Sequence, residues 1–259
     1  MHETILITGA GSGFGRGLAF ELARREHNVI ASTESAEQAA ALKASAQQEG
    51  IRLRVEKLDI TDGEDRARAE EWDVDVLVNN AAKAQSGPLA EIPIDLVRAN
   101  FETNVFGTVA LTQGIVKGMM KKGSGKIIIV SSVAGRMTAP YLGVYCMTKH
   151  ALEAAAEVLH AELGPHNITV VVVEPGPYAT GFNERMMETR HAWYGKDSLF
   201  AGDAEAIKGV ETWVLGDQYD PAEVIETLVG VVEDPAPEFR ICIPKEWEEK
   251  VRGILCGEK

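Results

Sequence analysis

Thr4-Ile5-Leu6-Ile7-Thr8-Gly9-Ala10-Gly11-Ser12-Gly13-Phe14-Gly15 is the stretch whose reading decides the fold. An apolar run ends in a glycine cluster and continues into an apolar-periodic segment. Thr4 to Thr8 reads as a strand and Gly13 to Arg25 as a helix, joined by a tight turn. Glycines allow that turn and let backbone come close to a pyrophosphate, while the helix start supplies free N–H groups and a positive dipole end. A glycine cluster alone would also serve a plain turn; the strand before it and the helix after it favour a phosphate cradle. The spacing is TGxxxGxG rather than GxGxxG, and no GK[ST] follows, so it is not a P-loop. Gly9, Gly11, Ser12, Gly13, Phe14 and Gly15 are the first candidate cofactor contacts.

Outward from this turn the same rhythm repeats. Asn28 to Ser32, Ile51 to Leu58, Asp75 to Asn79, Lys126 to Ser131, Thr169 to Val173 and Glu238 to Pro244 read as further strands. Helical patterns separate them, notably Ala36 to Glu49, Ile94 to Lys122 and Tyr145 to Leu163. Such alternation predicts one α/β domain over residues 1–259, a parallel sheet with helices on both faces. Ile127-Ile128-Ile129-Val130 and Val170-Val171-Val172-Val173 suit strands covered on both sides. From Tyr178 to Tyr219 the rhythm stops, and a substrate lid is expected there. Asp220-Pro221 reads as the next helix start.

Composition narrows the function. The chain has 259 residues and a formal net charge of -13, which argues against nucleic-acid or anionic-membrane partners. Three cysteines, Cys146, Cys242 and Cys256, form no CxxC pair, which fits reduced thiols in the cytoplasm. Cys146 reads as a small helix residue rather than a nucleophile. The six histidines have no ligand spacing, so no metal site is expected. Met1-His2-Glu3 leads directly into a strand-like run, without signal-peptide features or a spanning apolar stretch.

Ala31-Ser32-Thr33-Glu34 ends the second strand. A carboxylate there accepts from a ribose 2′-hydroxyl and repels a 2′-phosphate. No Arg or Lys lies between Val29 and Ala41, and NAD is expected over NADP. Tyr145-Cys146-Met147-Thr148-Lys149 puts a tyrosine and a lysine on one helix face. A nearby ammonium and the positive nicotinamide ring of NAD+ both favour the phenolate. Bringing a tyrosine from about 10 to about 7 takes roughly 4 kcal/mol, which two adjacent positive charges in a water-poor pocket are expected to supply. Ser131-Ser132 ends an apolar strand at the edge that faces the ligand crevice of an open sheet, where a hydroxyl can donate to a carbonyl oxygen.

Taken together these residues resemble the short-chain dehydrogenase/reductase family over almost the whole chain. Thr8 to Gly15 resembles its cofactor turn. Asp59, with Ile60 beside it, falls where the family contacts adenine. Asn79-Asn80-Ala81-Ala82 resembles its NNAG motif, with Ala82 in place of glycine, and makes Asn80, Ala81 and Ala82 candidate cofactor contacts. Asn104 matches the family asparagine, and Ser132, Tyr145 and Lys149 match its serine, tyrosine and lysine spacing. Pro175-Gly176-Pro177-Tyr178-Ala179-Thr180 matches PGxxxT, adding Pro175, Gly176 and Thr180.

The resemblance implies a single Rossmann-type doubly wound domain with a seven-stranded parallel sheet in the order 3-2-1-4-5-6-7. It implies Tyr145 as general acid/base, Lys149 lowering its pKa and binding ribose hydroxyls, Ser132 orienting the reacting oxygen and Asn104 holding a water. It also implies a homodimer or homotetramer through the two long helices. The expected activity is hydride transfer between NAD(P) and an alcohol or carbonyl. Ala134, Met137, Tyr141, Leu142 and Tyr178, with the lid from Gly181 onwards, are expected around the substrate, and Arg136 as a solvated loop residue rather than a partner for a substrate acid. Two other readings stay open: a catalytically silent dinucleotide-binding regulator, and a serine hydrolase, which lacks its GxSxG elbow here.

Overall fold

The apolar runs become β1 (Thr4–Ile7), β2 (Asn28–Thr33), β3 (Arg54–Lys57), β4 (Val76–Asn79), β5 (Gly125–Val130), β6 (Ile168–Pro175) and β7 (Arg240–Ile243). In the computed structural model, which describes residues 3–255, they pair in parallel in the order β3-β2-β1-β4-β5-β6-β7. Met1, His2 and Cys256, invoked above, lie outside the described residues.

Alternate side chains of one strand serve opposite layers. Ile5 and Ile7 of β1 join Leu18 and Leu22 of α1 (Gly13–Arg24), Leu42 of α2 (Ala36–Gln48) and Leu228 of α9 (Ala222–Glu233). Leu6, between them, packs with Ala69 of α3 (Gly63–Glu70), Leu111 and Ile115 of α5 (Thr108–Lys122) and Leu152 of α6 (Gly143–Leu163). Each buried aliphatic side chain contributes about 1.5–3 kcal/mol, and the central strands contribute on both faces. This is why β5 and β6 are continuously apolar.

Three elements differ from the sequence reading. The segment Ile94 to Lys122 is helical throughout, but α4 (Ile94–Phe101) passes into α5 through a π-helical stretch, Glu102–Gly107. The π stretch lies against the wall below β3: a Cβ on Gly107 would stand 2.9 Å from the Ile60 carbonyl oxygen. The segment 178–219 is largely helical, holding α7 (Phe182–Glu188) and α8 (Ala204–Gly216) with single 3-10 turns between them. Its aromatics and charges hide the apolar spacing because both helices bury only a few residues, Met186 and Met187 in α7, Ile207 and Val214 in α8. A final helix, α10 (Glu246–Leu255), brings Trp247 and Val251 against Val133 and Met137.

Arg136 is neither solvated nor aimed at the substrate crevice. It donates to Glu174 at 3.2 Å and Glu248 at 2.8 Å, and Arg240 donates to Glu174 at 2.6 Å and Glu153 at 2.7 Å. Glu174 is fully buried in β6, so the two guanidiniums are what allow a carboxylate there. Among the described residues no helix is long and apolar enough to cross a membrane.

Candidate active site

The C-terminal ends of β1, β4, β5 and β6 open onto a cavity of about 590 Å³. Gly9, Gly11, Ser12, Gly13 and Phe14 form one wall, Glu34, Asp59 and Ile60 one end, and Asn80, Ala81 and Ala82 the floor. Ser132, Tyr145 and Lys149 meet Pro175, Gly176 and Thr180 at the other end. Of the expected residues, Gly15 and Asn104 stand behind the lining rather than in it.

The glycines are required for different reasons. Gly9 adopts φ +65°, and a Cβ on it would lie 2.8 Å from Ala81 Cα. A Cβ on Gly15 would stand 2.5 Å from Asn80 Nδ2 and 2.7 Å from the Gly9 carbonyl oxygen. Both therefore serve the packing of the turn on the strand beside it. A Cβ on Gly11 would make only ordinary contact with Thr33 at 3.6 Å and Gln38 at 3.9 Å, so packing does not demand glycine there, and Gly11 lines the cavity. That position and the α1 N-terminus fit an anionic diphosphate. Asn80 fastens the turn, its Nδ2 donating to the carbonyls of Thr8 at 2.9 Å and Gly9 at 3.2 Å. Ala82 is not among the non-glycine residues at positive φ, so its methyl replaces the family glycine without backbone strain. Asp59 Oδ1 accepts from Thr61 N at 2.9 Å, which fixes the carboxylate at the groove's edge.

Tyr145 and Lys149 lie on one face of α6, with the Lys149 ammonium nitrogen 5.6 Å from the Tyr145 ring centre. Both are enclosed. Burial pushes the Tyr145 phenol above its ordinary value, partly offset by the neighbouring Ser132 hydroxyl. Burial pulls the Lys149 ammonium down to about 8, opposed by the Glu153 carboxylate. Burial thus outweighs the neighbouring Ser132 hydroxyl in the phenol's balance. Lys149 donates to the Val130 carbonyl at 2.8 Å, which anchors it and leaves two of its three donors for other partners. Ser132 accepts from Ala134 N at 3.1 Å and donates to the Pro175 carbonyl at 3.3 Å.

Asn104, buried in the π stretch, clamps the neighbouring loop. Its Oδ1 accepts from Lys83 N and its Nδ2 donates to Lys83 O, both at 2.7 Å. It also donates to Thr148 Oγ1 at 3.0 Å, and that hydroxyl donates to the Tyr145 carbonyl at 2.8 Å. Cys146 is buried and packs with Met186 and Met187 of α7 and Val214 of α8, as a packing residue does.

Of the expected substrate contacts, Ala134, Leu142 and Tyr178 line the cavity, whereas Met137 and Tyr141 do not. Met137 turns to Trp247 and Val251, and the Tyr141 hydroxyl donates to Asp203 at 3.3 Å. Phe182, Met186, Trp213 and Val214, within the segment expected over the substrate from Gly181 onwards, line the cavity, whereas sequence reasoning missed Lys83 and Trp247, which line it too. Only Lys83 carried a usable signal, its place directly after the Asn79–Ala82 motif. A Cβ on Gly176 would stand 3.0 Å from the Trp247 indole, a contact no local motif announces.

Comparison with known proteins agrees with this geometry. The family model for short chain dehydrogenases matches residues 3–191. The chain is 38% identical over 182 residues to the uncharacterised oxidoreductase YusZ of Bacillus subtilis, covering 68% of this chain and 65% of that protein, somewhat under two thirds of its length. It is 31% identical over 258 residues to human retinol dehydrogenase 8, covering 92% of this chain and 80% of that one. A solved short-chain dehydrogenase from Streptomyces avermitilis superposes with a TM-score of 0.83 at 28% identity, covering 99% of this chain and 94% of the other. Two further structures share the fold at lower identity. One, from Burkholderia phymatum, is in complex with NAD (21% identity, TM-score 0.83, covering 100% and 96%). The other, from Burkholderia cenocepacia, is in complex with NADP (23%, 0.75, covering 98% and 93%). The seven-stranded parallel sheet, the dinucleotide-type crevice and these matches together make the chain a member of the short-chain dehydrogenase/reductase family of oxidoreductases.

Proposed function

We propose that the protein interconverts an apolar alcohol and its ketone or aldehyde by hydride transfer, with Tyr145 as the general acid/base and NAD(H) favoured over NADP(H). The observation that carries this reading is the meeting of Ser132, Tyr145 and Lys149 at one end of a cavity whose other wall is the glycine turn. When bound there, the nicotinamide supplies the hydride exchange and, oxidised, a positive ring. Every other part falls to this chain. Gly11, Ser12 and the α1 N-terminus hold the diphosphate, and Asp59 and Ile60 border the adenine. Glu34 accepts from the ribose 2′-hydroxyl. Pro175, Gly176 and Thr180 border the nicotinamide end.

Tyr145 takes the alcohol proton in oxidation and returns it in reduction. Its raised pKa keeps the hydroxyl protonated, so it holds the proton that reduction consumes. To act as a base it needs cationic neighbours, and Lys149 is the protein's own. Ser132 donates to the substrate oxygen. Asn104 acts behind them as a positioning residue, joining the Lys83 loop to the Thr148 turn of α6. Leu142, Phe182, Met186, Trp213, Val214 and Trp247 make the substrate end mostly apolar and aromatic, with Asn183 and Arg185 its polar groups, which suits a ring compound or hydrocarbon carrying a polar substituent. The lid comprises α7, α8 and their connections. The exposed apolar residues of the two long helical segments suit a homodimer or homotetramer. Cys146 and Cys242 are free, which suits a reducing compartment such as the cytoplasm.

The test is a screen of apolar alcohols with NAD+ followed at 340 nm. Tyr145→Phe is expected to lower turnover about 10²–10⁴-fold with dinucleotide affinity retained. Turnover that survives the substitution defeats the mechanism. Tight dinucleotide binding without turnover on any alcohol or carbonyl defeats the enzymatic reading in favour of a regulatory one.

A further inference from the structure

Two opposite charges from non-adjacent strands meet at the Glu34 end of the cavity. Glu34 follows β2 and Lys83 follows β4, with β1 between those strands. The Lys83 ammonium donates to Glu34 Oε1 at 2.8 Å, and both side chains line the groove. Among the described residues this is the sole side-chain partner of either group. The Lys83 backbone cannot drift, because Asn104 grips its N–H and its carbonyl. The side chain alone is left to move, and it reaches to the carboxylate through which the cofactor choice was read above.

We infer that Lys83 is a cofactor-selecting residue, and that Glu34 and Lys83 act as a charge pair able to admit either NAD or NADP. The inference rests on the dinucleotide reading of the cavity and goes beyond it. A lone carboxylate would reject a 2′-phosphate by repulsion. A carboxylate already paired with an ammonium presents little net charge to it. The two dinucleotides then exchange with different halves of the pair. The 2′-hydroxyl of NAD is a donor and takes Glu34 from Lys83. The 2′-phosphate of NADP is an acceptor and takes Lys83 from Glu34. Each exchange replaces one charged contact by another, so neither dinucleotide is strongly excluded.

The experiment is calorimetric titration of the purified full chain with NAD+ and with NADP+, without substrate. The unaltered protein is expected to bind both, NAD+ the more tightly by no more than about tenfold, a difference of one charge-assisted hydrogen bond. Lys83→Met is expected to weaken NADP+ by about tenfold or more while NAD+ changes less than about threefold. Lys83→Arg keeps the charge and is expected to keep the unaltered ratio. It also reports whether any loss reflects charge or damage to the fold. Added salt should weaken NADP+ more in the unaltered protein than in Lys83→Met. Equal changes for both dinucleotides in Lys83→Met, or none, overturn the role of Lys83 while leaving the dinucleotide site standing. Failure of the unaltered protein to bind either overturns the inference together with the reading beneath it.

Discussion

Lys149 shows what a single enclosed residue asks of the fold. Its ammonium titrates near 8 in the folded protein rather than near 10.5, chiefly because burial strips its water. The folded value lies below the unfolded one, so the stabilising neutral form is fully present above about 10.5. Its contribution is lost as pH falls through about 8. Unfolding free energy should therefore fall by up to about 3 kcal/mol across that window from this residue alone. Lys149→Met should remove that part of the slope in denaturant titrations, and the difference between the two proteins isolates the residue from other groups. Identical slopes would mean that the ammonium is hydrated. Gly15 is a second residue whose identity is forced. Gly15→Ala pushes a methyl against Asn80 and the Gly9 carbonyl, and should destabilise the chain by about 1–3 kcal/mol and weaken dinucleotide binding.

At the scale of elements, helix ends and strand starts are tied by groups that no local pattern announces. Lys126 is the second residue of β5, and its ammonium donates to the carbonyls of Val231, Val232 and Asp234 at 2.6–2.8 Å. These are the unpaired carbonyls at the C-terminus of α9, where a cation also meets the negative dipole end. Lys126→Ala leaves them without that partner and should cost about 2–3 kcal/mol, read as a lower denaturant midpoint at unchanged slope. Within the same helix, Gly230 has nothing within 4 Å of an added Cβ. Gly230→Ala should stabilise by about 0.5–1 kcal/mol, since alanine only restricts the unfolded chain there. Loss of stability in that variant would place Gly230 in a contact between chains. The π stretch at Asn104 is the third such element. It inserts a residue into an otherwise regular helix, which sets the asparagine where it can grip Lys83.

At the scale of the whole molecule, the exposed apolar side chains mark where another surface fits. Phe106 and Val158 are each more than half exposed, and lie on the two long helical segments. Phe106→Glu and Val158→Glu should shift an assembled species to monomer in sedimentation velocity, with NAD+ binding retained. A monomeric unaltered protein would defeat the assembly proposed above. The sequence by itself determined the sheet and its ligand edge. Apolar runs such as Ile127 to Val130 and the glycine turn are local patterns, and each is dictated by hydrogen bonding and burial within a few residues. The Tyr145–Lys149 spacing is local for the same reason, since one helix turn carries both. Only the tertiary structure decided which groups share the crevice. Lys83 meets Glu34 across 49 positions of sequence, and Trp247 closes on Gly176 from a helix at the far end of the chain. It also turned Met137, Tyr141 and Arg136 away from the substrate end, although their sequence neighbours line it. Partnership at a distance is set by how helices pack on the sheet, and packing leaves no periodic trace in the chain.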